Sequence, residues 1–352
     1  MGCTFVNILM IAEKLTPAIG GVEKHVHRIS ECLTEKGHAV TCVAPAHTRD
    51  LPETESVSGY RILRIPASGR RRHDYMTAWR WWRKRLPLIT SSDIIHFHDV
   101  YALIHWFGPM HISLRKRKAF ITYHGYGMEY PIRWRDQAYR RISSYLTGDS
   151  LCIGDYLVKW FDIQAPWISY GGVDAPDSTG HEPVENHLVF IGRLARDTAF
   201  DRILDGIHEA QKTGNKTYTL TVCGDGVLRE EMMKKARQLS INATFCGFVD
   251  DPGPYMEQAE IIFAPGYLTL LEAFIRKRPV INLYRGHIRR DYYGMMDPDA
   301  ALFLHTDSYK TLARMLLEHT RDEHRLNKAY RFAKALSWDS LSETYLRMWG
   351  QG

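Results

Sequence analysis

Asn7-Ile-Leu-Met-Ile-Ala12, then Pro17-Ala-Ile-Gly-Gly21, then the stretch from Gly21 to Lys36 decide the fold of this chain. The first is a short apolar run of the length of a buried strand. The last places Val22, Val26, Ile29 and Leu33 on one helical face, at spacings of 4, 3 and 4. Gly37 ends the helix. Strand, glycine turn and amphipathic helix open a βαβ unit. In such a turn, Gly20 and Gly21 let the backbone approach a ligand, and the free N–H groups of the helix favour an anion such as a diphosphate.

Outward from that unit the pattern repeats. Ala39–Ala44, Arg61–Ile65, Ile94–Phe97 and Ala119–Tyr123 read as further strands of one doubly wound sheet. Pro, Gly, Asp and Ser gather between Pro166 and Pro183, the best place for a hinge. A second unit follows, with strands at His187–Ile191, Tyr218–Cys223, Ala243–Cys246, Ile261–Ala264 and Pro279–Leu283 and helices at Phe200–Lys212 and Leu228–Leu239. The expectation is an α/β protein of two Rossmann-like doubly wound domains facing a cleft, residues 1–168 and 169–337. The amphipathic segment 338–352 should pack back on the first domain. At 352 residues, the chain exceeds what a single core usually supports, roughly 250–300 residues.

Composition narrows the class. A hydrophobic share of 45% with 24% charged residues is that of a globular protein. No apolar run reaches the roughly 18 residues of a membrane span, and the start of the chain lacks the features of a secretory signal. Six scattered cysteines without a C-x-x-C pair argue against a disulfide framework or a zinc site, so a cytoplasmic protein is expected. The net charge of +6 is concentrated: between Arg61 and Thr90 there are nine Arg and Lys against one acid, Asp74.

Ligands of open α/β sheets bind at the carboxyl ends of strands. There stand Phe190-Ile-Gly-Arg-Leu194, whose Arg193 can neutralise a diphosphate, and Cys223-Gly-Asp-Gly-Val227, another glycine-rich turn. Leu270-Leu-Glu-Ala273 opens a helix with a carboxylate suited to ribose hydroxyls; the bland alternative is helix-dipole complementarity. Thr122-Tyr-His-Gly125 ends a first-unit strand with a histidine. His96 and His98 share one strand face, but two histidines without a third ligand make a weak metal site.

Taken in order, these pieces resemble family 4 of the retaining glycosyltransferases, glycosyltransferase group 1 type, which have the GT-B fold. Gly20-Gly21-Val22-Glu23 with Gly37-His38-Ala39-Val40 resembles the family's N-terminal signature, and Asp93-Ile-Ile-His-Phe-His98 and His124-Gly125 its acceptor-domain strands. Gly172-Val173-Asp174 matches the hinge. Gly192-Arg193-Leu194, Gly224-Asp225-Gly226, Cys246-Gly-Phe-Val249 and Leu271-Glu272-Ala273 with Pro279-Val280-Ile281 match the donor domain. The resemblance implies that Glu272 and the neighbouring Leu270 and Leu271 hold the ribose end of a nucleotide sugar. It implies that Phe248 and Val249 hold the base, that Arg193 neutralises the diphosphate, that Gly192, Gly224 and Asp225 also bind the substrate, and that Gly21 lies beside the phosphates. His124 would sit near the transferred sugar. It further implies metal-independent transfer to an acceptor hydroxyl, with retention, and no cofactor beyond the donor substrate.

Two positions depart from the family pattern. Its Lys five residues after the Arg of Gly-Arg-Leu is Thr198 here, followed by Ala199, and its Glu eight residues before Glu272 is Ala264, in a loop that looks shortened. Losing a cation beside a leaving diphosphate is serious; Arg285, Arg289 or Arg290 is the expected replacement. The departures leave two alternatives, an inactive sugar-nucleotide-binding relative or partner subunit, and a sugar-nucleotide 2-epimerase on the same fold. Finally, Arg70 to Leu86 reads as an interfacial helix, with Tyr75, Trp79, Trp82 and Leu86 on one stripe beside Arg80, Arg83 and Lys84. It would bring the protein to an anionic membrane on the cytoplasmic face, where a lipid-linked or cell-envelope glycan acceptor arrives. Burial of the stripe is the competing reading, and nothing else supports nucleic-acid binding.

Overall fold

A computed structural model describes residues 5–48, 50–110, 118–125, 131–176 and 182–351, leaving the side chains of Arg71 and Lys118 aside. Cys3 and residues 177–181 of the expected hinge lie outside the described residues. The chain divides into two compact units. One runs to Gly171 and resumes at Trp338; the other is Gly172–Ser337.

The first unit runs β1 (Asn7–Ile11), α1 (Gly21–Glu35), β2 (Ala39–Pro45), β3 (Thr54–Val57), β4 (Tyr60–Ile65), α2 (Arg71–Arg83), α3 (Leu86–Ser91), β5 (Ile94–His98), a π-helical turn (Ala102–Phe107), β6 (Lys118–Tyr123), α4 (Trp134–Leu146), β7 (Ser150–Ile153), α5 (Tyr156–Phe161) and β8 (Trp167–Ser169). Its strands form one sheet in the order β3-β4-β2-β1-β5-β6-β7-β8. All pairs are parallel except β3 on β4. Ile8 of β1 lies opposite Val40 on one side and Ile94 on the other. The chain therefore leaves β1 for β2 and returns to β5 on the opposite side, which makes the β1–β5 crevice the topological switch point. Crossover helices on both faces bury β5 along its whole length. That burial forces its two histidines to find polar partners inside the protein.

The second unit runs β9 (His187–Ile191), α6 (Phe200–Thr213), β10 (Thr219–Cys223), α7 (Arg229–Gln238), β11 (Asn242–Gly247), α8 (Gly253–Gln258), β12 (Ile261–Phe263), α9 (Tyr267–Ile275), β13 (Ile281–Leu283), α10 (Gly286–Met296), β14 (Leu304–Thr306), α11 (Tyr309–Leu317) and α12 (Glu323–Lys334). Four parallel strands run β11-β10-β9-β12, and the parallel pair β13-β14 joins them through a bridge between Ile262 and Val280. Ile203, Leu204 and Ile207 of α6 bury one face against β9 and β10, around Phe190, Leu220 and Val222. The switch point of this unit lies between β9 and β12. The last helix, α13 (Trp338–Met348), belongs to the first unit and is tied to α1 by Lys36 on Asp339 at 2.5 Å.

The basic segment folds differently from the sequence expectation. Its helix, α2, stops at Arg83, so Leu86 starts a separate helix. Trp82 is fully buried, donates its indole N–H to Trp106 O at 3.0 Å and meets the Phe107 ring edge-on at 5.1 Å. Tyr75 stacks on His105 at 4.8 Å. The aromatic stripe thus covers the π-helical turn instead of facing outward, because the turn offers it apolar and aromatic partners. Arg72, Arg80, Arg83 and Lys84 remain exposed, whereas Arg64 is inside on Glu55 at 2.6 Å.

Candidate functional site

A cavity of about 700 Å³ opens at the switch point of the first unit. It is lined by the segments that follow β1, β2, β4 and β5, among them Glu13, Lys14, His47, His98 and Asp99, and by Glu23 in the first turn of α1. Its charged lining is mostly carboxylate. Asp99 has a φ of 74°, in the left-handed region that Asp enters more readily than most side chains. Its N–H donates to Thr122 O at 2.8 Å, and burial pushes its carboxyl above the ordinary range. Glu13 and Asp99 were not among the sequence candidates; their position immediately after strand ends was the available signal. Gly20 and Gly21 do stand at the start of α1, but a side chain on Gly20 would collide with the Glu23 carboxylate. In this conformation an acid covers the helix start, where the glycines were expected to admit phosphate.

Behind the cavity lies a cluster of imidazoles. His98 Nδ1 and His124 Nε2 are 3.0 Å apart, and His25 stands edge-on to His124 with centroids at 4.6 Å. His25 Nε2 meets Tyr345 Oη at 2.8 Å, Tyr345 Oη meets Thr122 Oγ1 at 2.7 Å, and Thr122 Oγ1 meets His96 Nε2 at 2.8 Å. Burial holds the pKa of His25 down to about 3 and keeps those of His96, His98 and His124 well below the ordinary 6.5, so all four are neutral at pH 7. His124 itself is half-buried. The turn after it is held by Arg140 of α4, which donates to Gly125 O and lies over the Phe161 ring at 3.8 Å. His25, His98 and His124 each offer one ring nitrogen within 4.8 Å of the others, a geometry able to take a metal ion. Of the pair His96 and His98 weighed from sequence, only His98 belongs to this set; His124 joins it from the end of β6 and His25 from α1. In the present arrangement these nitrogens engage one another and Tyr345.

In the second unit the loops after β9, β10 and β12 converge. Gly192 N donates to Cys223 O at 3.1 Å, and Leu194 N donates to Asp225 O at 2.9 Å. A side chain on Gly224 would strike the backbone of Gly192, and one on Gly192 would strike Pro265, so these glycines let three loops close together. Arg193 projects from this junction, 56% exposed, with Asp197 at 3.5 Å. Phe248 is 54% exposed just past the end of β11, with half-buried Val249 beside it, and Asp225 caps its own turn by accepting from Gly226 N at 2.7 Å. Gly192, Arg193, Gly224, Asp225, Phe248 and Val249 thus all stand at the carboxyl edge of one sheet.

Other candidates land elsewhere than expected. Thr198, at the position of the family's Lys, is buried and donates its hydroxyl proton toward Arg193 O or Ala195 O, at 2.9 and 2.8 Å. It braces the loop and brings no charge. Arg289, offered as a replacement cation, is 4% exposed; it pairs with Asp197 at 2.5 Å and donates to Pro265 O at 3.0 Å. Its charge is therefore already balanced inside the loop junction. Arg285 lies on Asp201 at 2.8 Å, while Arg290 stays exposed with Asp291 at 3.6 Å. Helix α9 begins at Tyr267, so Glu272 stands in the second turn rather than at the helix start, and Leu270 and Leu271 point into the core with no exposure. They cannot offer side chains to a ligand. Ala264, fully buried, follows β12 directly, and only Pro265 and Gly266 separate it from α9. The loop has no room for a longer acidic segment.

Residues 19–158, within the first unit, match the family model of Glycosyltransferase Family 4, and residues 185–319, within the second, match that of Glycosyl transferases group 1. Among curated relatives, one subunit of human phosphatidylinositol N-acetylglucosaminyltransferase is 35% identical over 60 residues, 17% of this chain and 12% of that protein. The Campylobacter jejuni GalNAc-alpha-(1->4)-GalNAc-alpha-(1->3)-diNAcBac-PP-undecaprenol alpha-1,4-N-acetyl-D-galactosaminyltransferase is 25% identical over 173 residues, 47% of this chain and 48% of that one. The chain spans about half or less of the curated relatives it matches. Sucrose-phosphate synthase from Thermosynechococcus elongatus superposes with a TM-score of 0.75 at 16% identity, over 99% of both chains. S. aureus TarM in complex with fondaparinux, alpha-GlcNAc-glycerol and UDP does so with 0.75 at 10% identity, over 98% of this chain and 100% of that one. These structural likenesses are likenesses of fold.

Proposed function

This chain belongs to the GT-B glycosyltransferases of family 4, and we propose that it transfers a hexosyl group from a nucleotide sugar to a hydroxyl of a glycan or lipid-linked acceptor. The observation that carries the reading is the convergence of three glycine-pinned loops at the carboxyl edge of the second unit, with Arg193 exposed at their junction. Phe248 beside them offers a ring for a nucleobase, and Glu272 a carboxylate for ribose hydroxyls. With Thr198 uncharged, Arg289 balanced by Asp197 and Arg285 on Asp201, Arg193 at the loop junction becomes the principal cation for the departing diphosphate, and Arg290, as exposed and as far from its acid, is the second. The acceptor belongs to the cavity of the first unit. Its carboxylates Glu13, Glu23 and Asp99 suit a ligand rich in hydroxyl donors and disfavour a phosphate. We read the transfer as retaining and metal-independent, as the family resemblance implies.

The site opens a second reading, a relative that binds sugar nucleotides without turning them over. The replaced Lys and Glu, Thr198 and Ala264, favour it. One experiment separates the two. A panel of nucleoside diphosphates and their sugars is screened by thermal shift, since binding to the folded state raises apparent stability. Transfer by the stabilising donor is then followed with and without EDTA, and the anomeric configuration of the product is read by NMR. Activity that EDTA abolishes and manganese restores would sink the metal-free reading. A donor that stabilises but is never consumed supports the non-catalytic one. Glu272→Ala should weaken the stabilising nucleotide by about 1.5–3 kcal/mol, the worth of a charge-assisted hydrogen bond.

We further propose that the first unit rests on an anionic membrane, which would deliver a lipid-linked acceptor. The exposed basic side chains of α2 supply the charge. The apolar part falls to α4, where Trp134 is 76%, Ile142 47% and Tyr145 90% exposed beside Arg133, Arg135 and Arg141. Trp and Tyr among Arg residues on one helix face are the composition of an interfacial helix. Among the described residues no helix is long and apolar enough to cross a membrane.

A further inference from the structure

The hydrogen bonds behind His124 have a direction, and it starts at the end of the chain. An indole nitrogen only donates, so the 3.2 Å bond from Trp349 Nε1 makes His96 Nδ1 an acceptor. His96 is then neutral with its proton on Nε2, which donates to Thr122 Oγ1. The Thr122 hydroxyl donates in turn to Tyr345 Oη, and Tyr345 donates to His25 Nε2. His25 keeps its own proton on Nδ1. In the second pair, His98 Nδ1 and His124 Nε2 are 3.0 Å apart, so one ring donates to the other and each is held at that nitrogen.

We propose that α13 and Trp349 form a positioning element of the first unit's site: through Trp349 and Tyr345 they fix the tautomers of His96 and His25, and the His25 ring, edge-on to His124, holds His124 in place beside His98. The consequence for chemistry rests on the reading of His124 as a group that meets the donor sugar. With its Nε2 engaged by His98, His124 meets a ligand through Nδ1 alone. Tyr345 and Trp349 never touch the ligand; they act through the imidazoles.

Long-range ¹H–¹⁵N spectra of the full ¹⁵N-labelled chain distinguish a protonated ring nitrogen from a bare one, with His25→Gln, His96→Gln, His98→Gln and His124→Gln assigning the signals. The expected pattern is a proton on Nε2 of His96 and on Nδ1 of His25. A proton on Nε2 of His25, a proton on Nδ1 of His96, or a charged ring of either at pH 7 overturns the proposal. Tyr345→Phe keeps the ring and removes the hydroxyl. His25 Nε2 then loses its donor, so its ¹⁵N signal should move and the single tautomer should give way to a mixture, and turnover should fall about tenfold while the donor KM stays within about twofold. Unchanged tautomers and turnover in that variant also overturn it. Trp349→Phe, which releases His96 Nδ1, gives the corresponding reading on His96 and the same turnover test should Tyr345→Phe fail to fold. If the native tautomers are as assigned but the native protein transfers no sugar, the transferase reading fails and the positioning element stands.

Discussion

Arg193 and Arg289 approach the same acid, Asp197, and have opposite fates. Arg193 is exposed and 3.5 Å away, free to turn toward an anion; Arg289 is buried and 2.5 Å away, fixed as part of the loop. The two should therefore separate cleanly by assay. Arg193→Ala is expected to lower turnover by about 10²-fold, the scale of one lost preorganised electrostatic contact, with little change in folding stability. Arg289→Met leaves the buried Asp197 carboxylate only the exposed Arg193 at 3.5 Å and should lower stability by about 3–5 kcal/mol in urea denaturation. A nearly normal turnover for Arg193→Ala, or a fully stable Arg289→Met, would exchange their roles.

Among the elements, α2 and α4 flank the π-helical turn and divide the properties of an interfacial helix between them. The charge of α2 stays outside because its aromatic side chains find partners in the turn, Trp82 on Trp106 and Phe107 and Tyr75 on His105. In α4 the polarity is inverted: Arg140 and Ser143 are buried through specific bonds, and Trp134 and Tyr145 face solvent. Co-sedimentation with vesicles tests both contributions. Changing Arg80, Arg83 and Lys84 to Ser should reduce pelleting on anionic vesicles, since each basic residue contributes about 1 kcal/mol there. Changing Trp134 and Tyr145 to Ser should reduce it too, and at high salt, where screening has weakened the charges, should remove what remains. Negligible pelleting of the unmodified protein on anionic vesicles would end the membrane proposal.

On the scale of the whole molecule, the buried imidazoles make stability depend on pH. His25 titrates near 3 when folded, and His96, His98 and His124 also lie well below the ordinary 6.5. The unfolded chain takes up these protons as pH falls below about 6.5, and the folded chain does not until far lower. The contribution is thus fully present above pH 6.5 and is lost as pH falls toward 3, at up to about 1.4 kcal/mol per pH unit for each histidine. Urea midpoints at pH 7.5, 6 and 5 should fall steeply, with the first unit unfolding earlier. A midpoint independent of pH over that range would mean that these rings are charged or exposed.

The periodicity of Asn7 to Lys36 and its repeats was enough to place the strands β1, β2, β4, β5 and β6, those of the second unit up to β13, and the helices α1, α6, α7 and α13. Apolar spacing is a local property, and a parallel sheet covered on both faces demands it of each strand in turn. Several elements escaped, among them the amphipathic helices α11 and α12 and the buried strand β7. β3 is a short edge strand with no buried residue, and α4 hides an arginine and a serine where a pattern needs apolar side chains. The glycines and Arg193 at the loop junction were legible because a strand end followed by glycine has one common use. The histidine cluster was not. It joins side chains from α1, β5, the end of β6 and α13, up to 320 residues apart, and only the sheet order brings them together. Nor does sequence tell a solvated arginine from a buried one: Arg193 follows β9 and Arg289 lies in α10, both reach Asp197, and only folding buries one and leaves the other exposed.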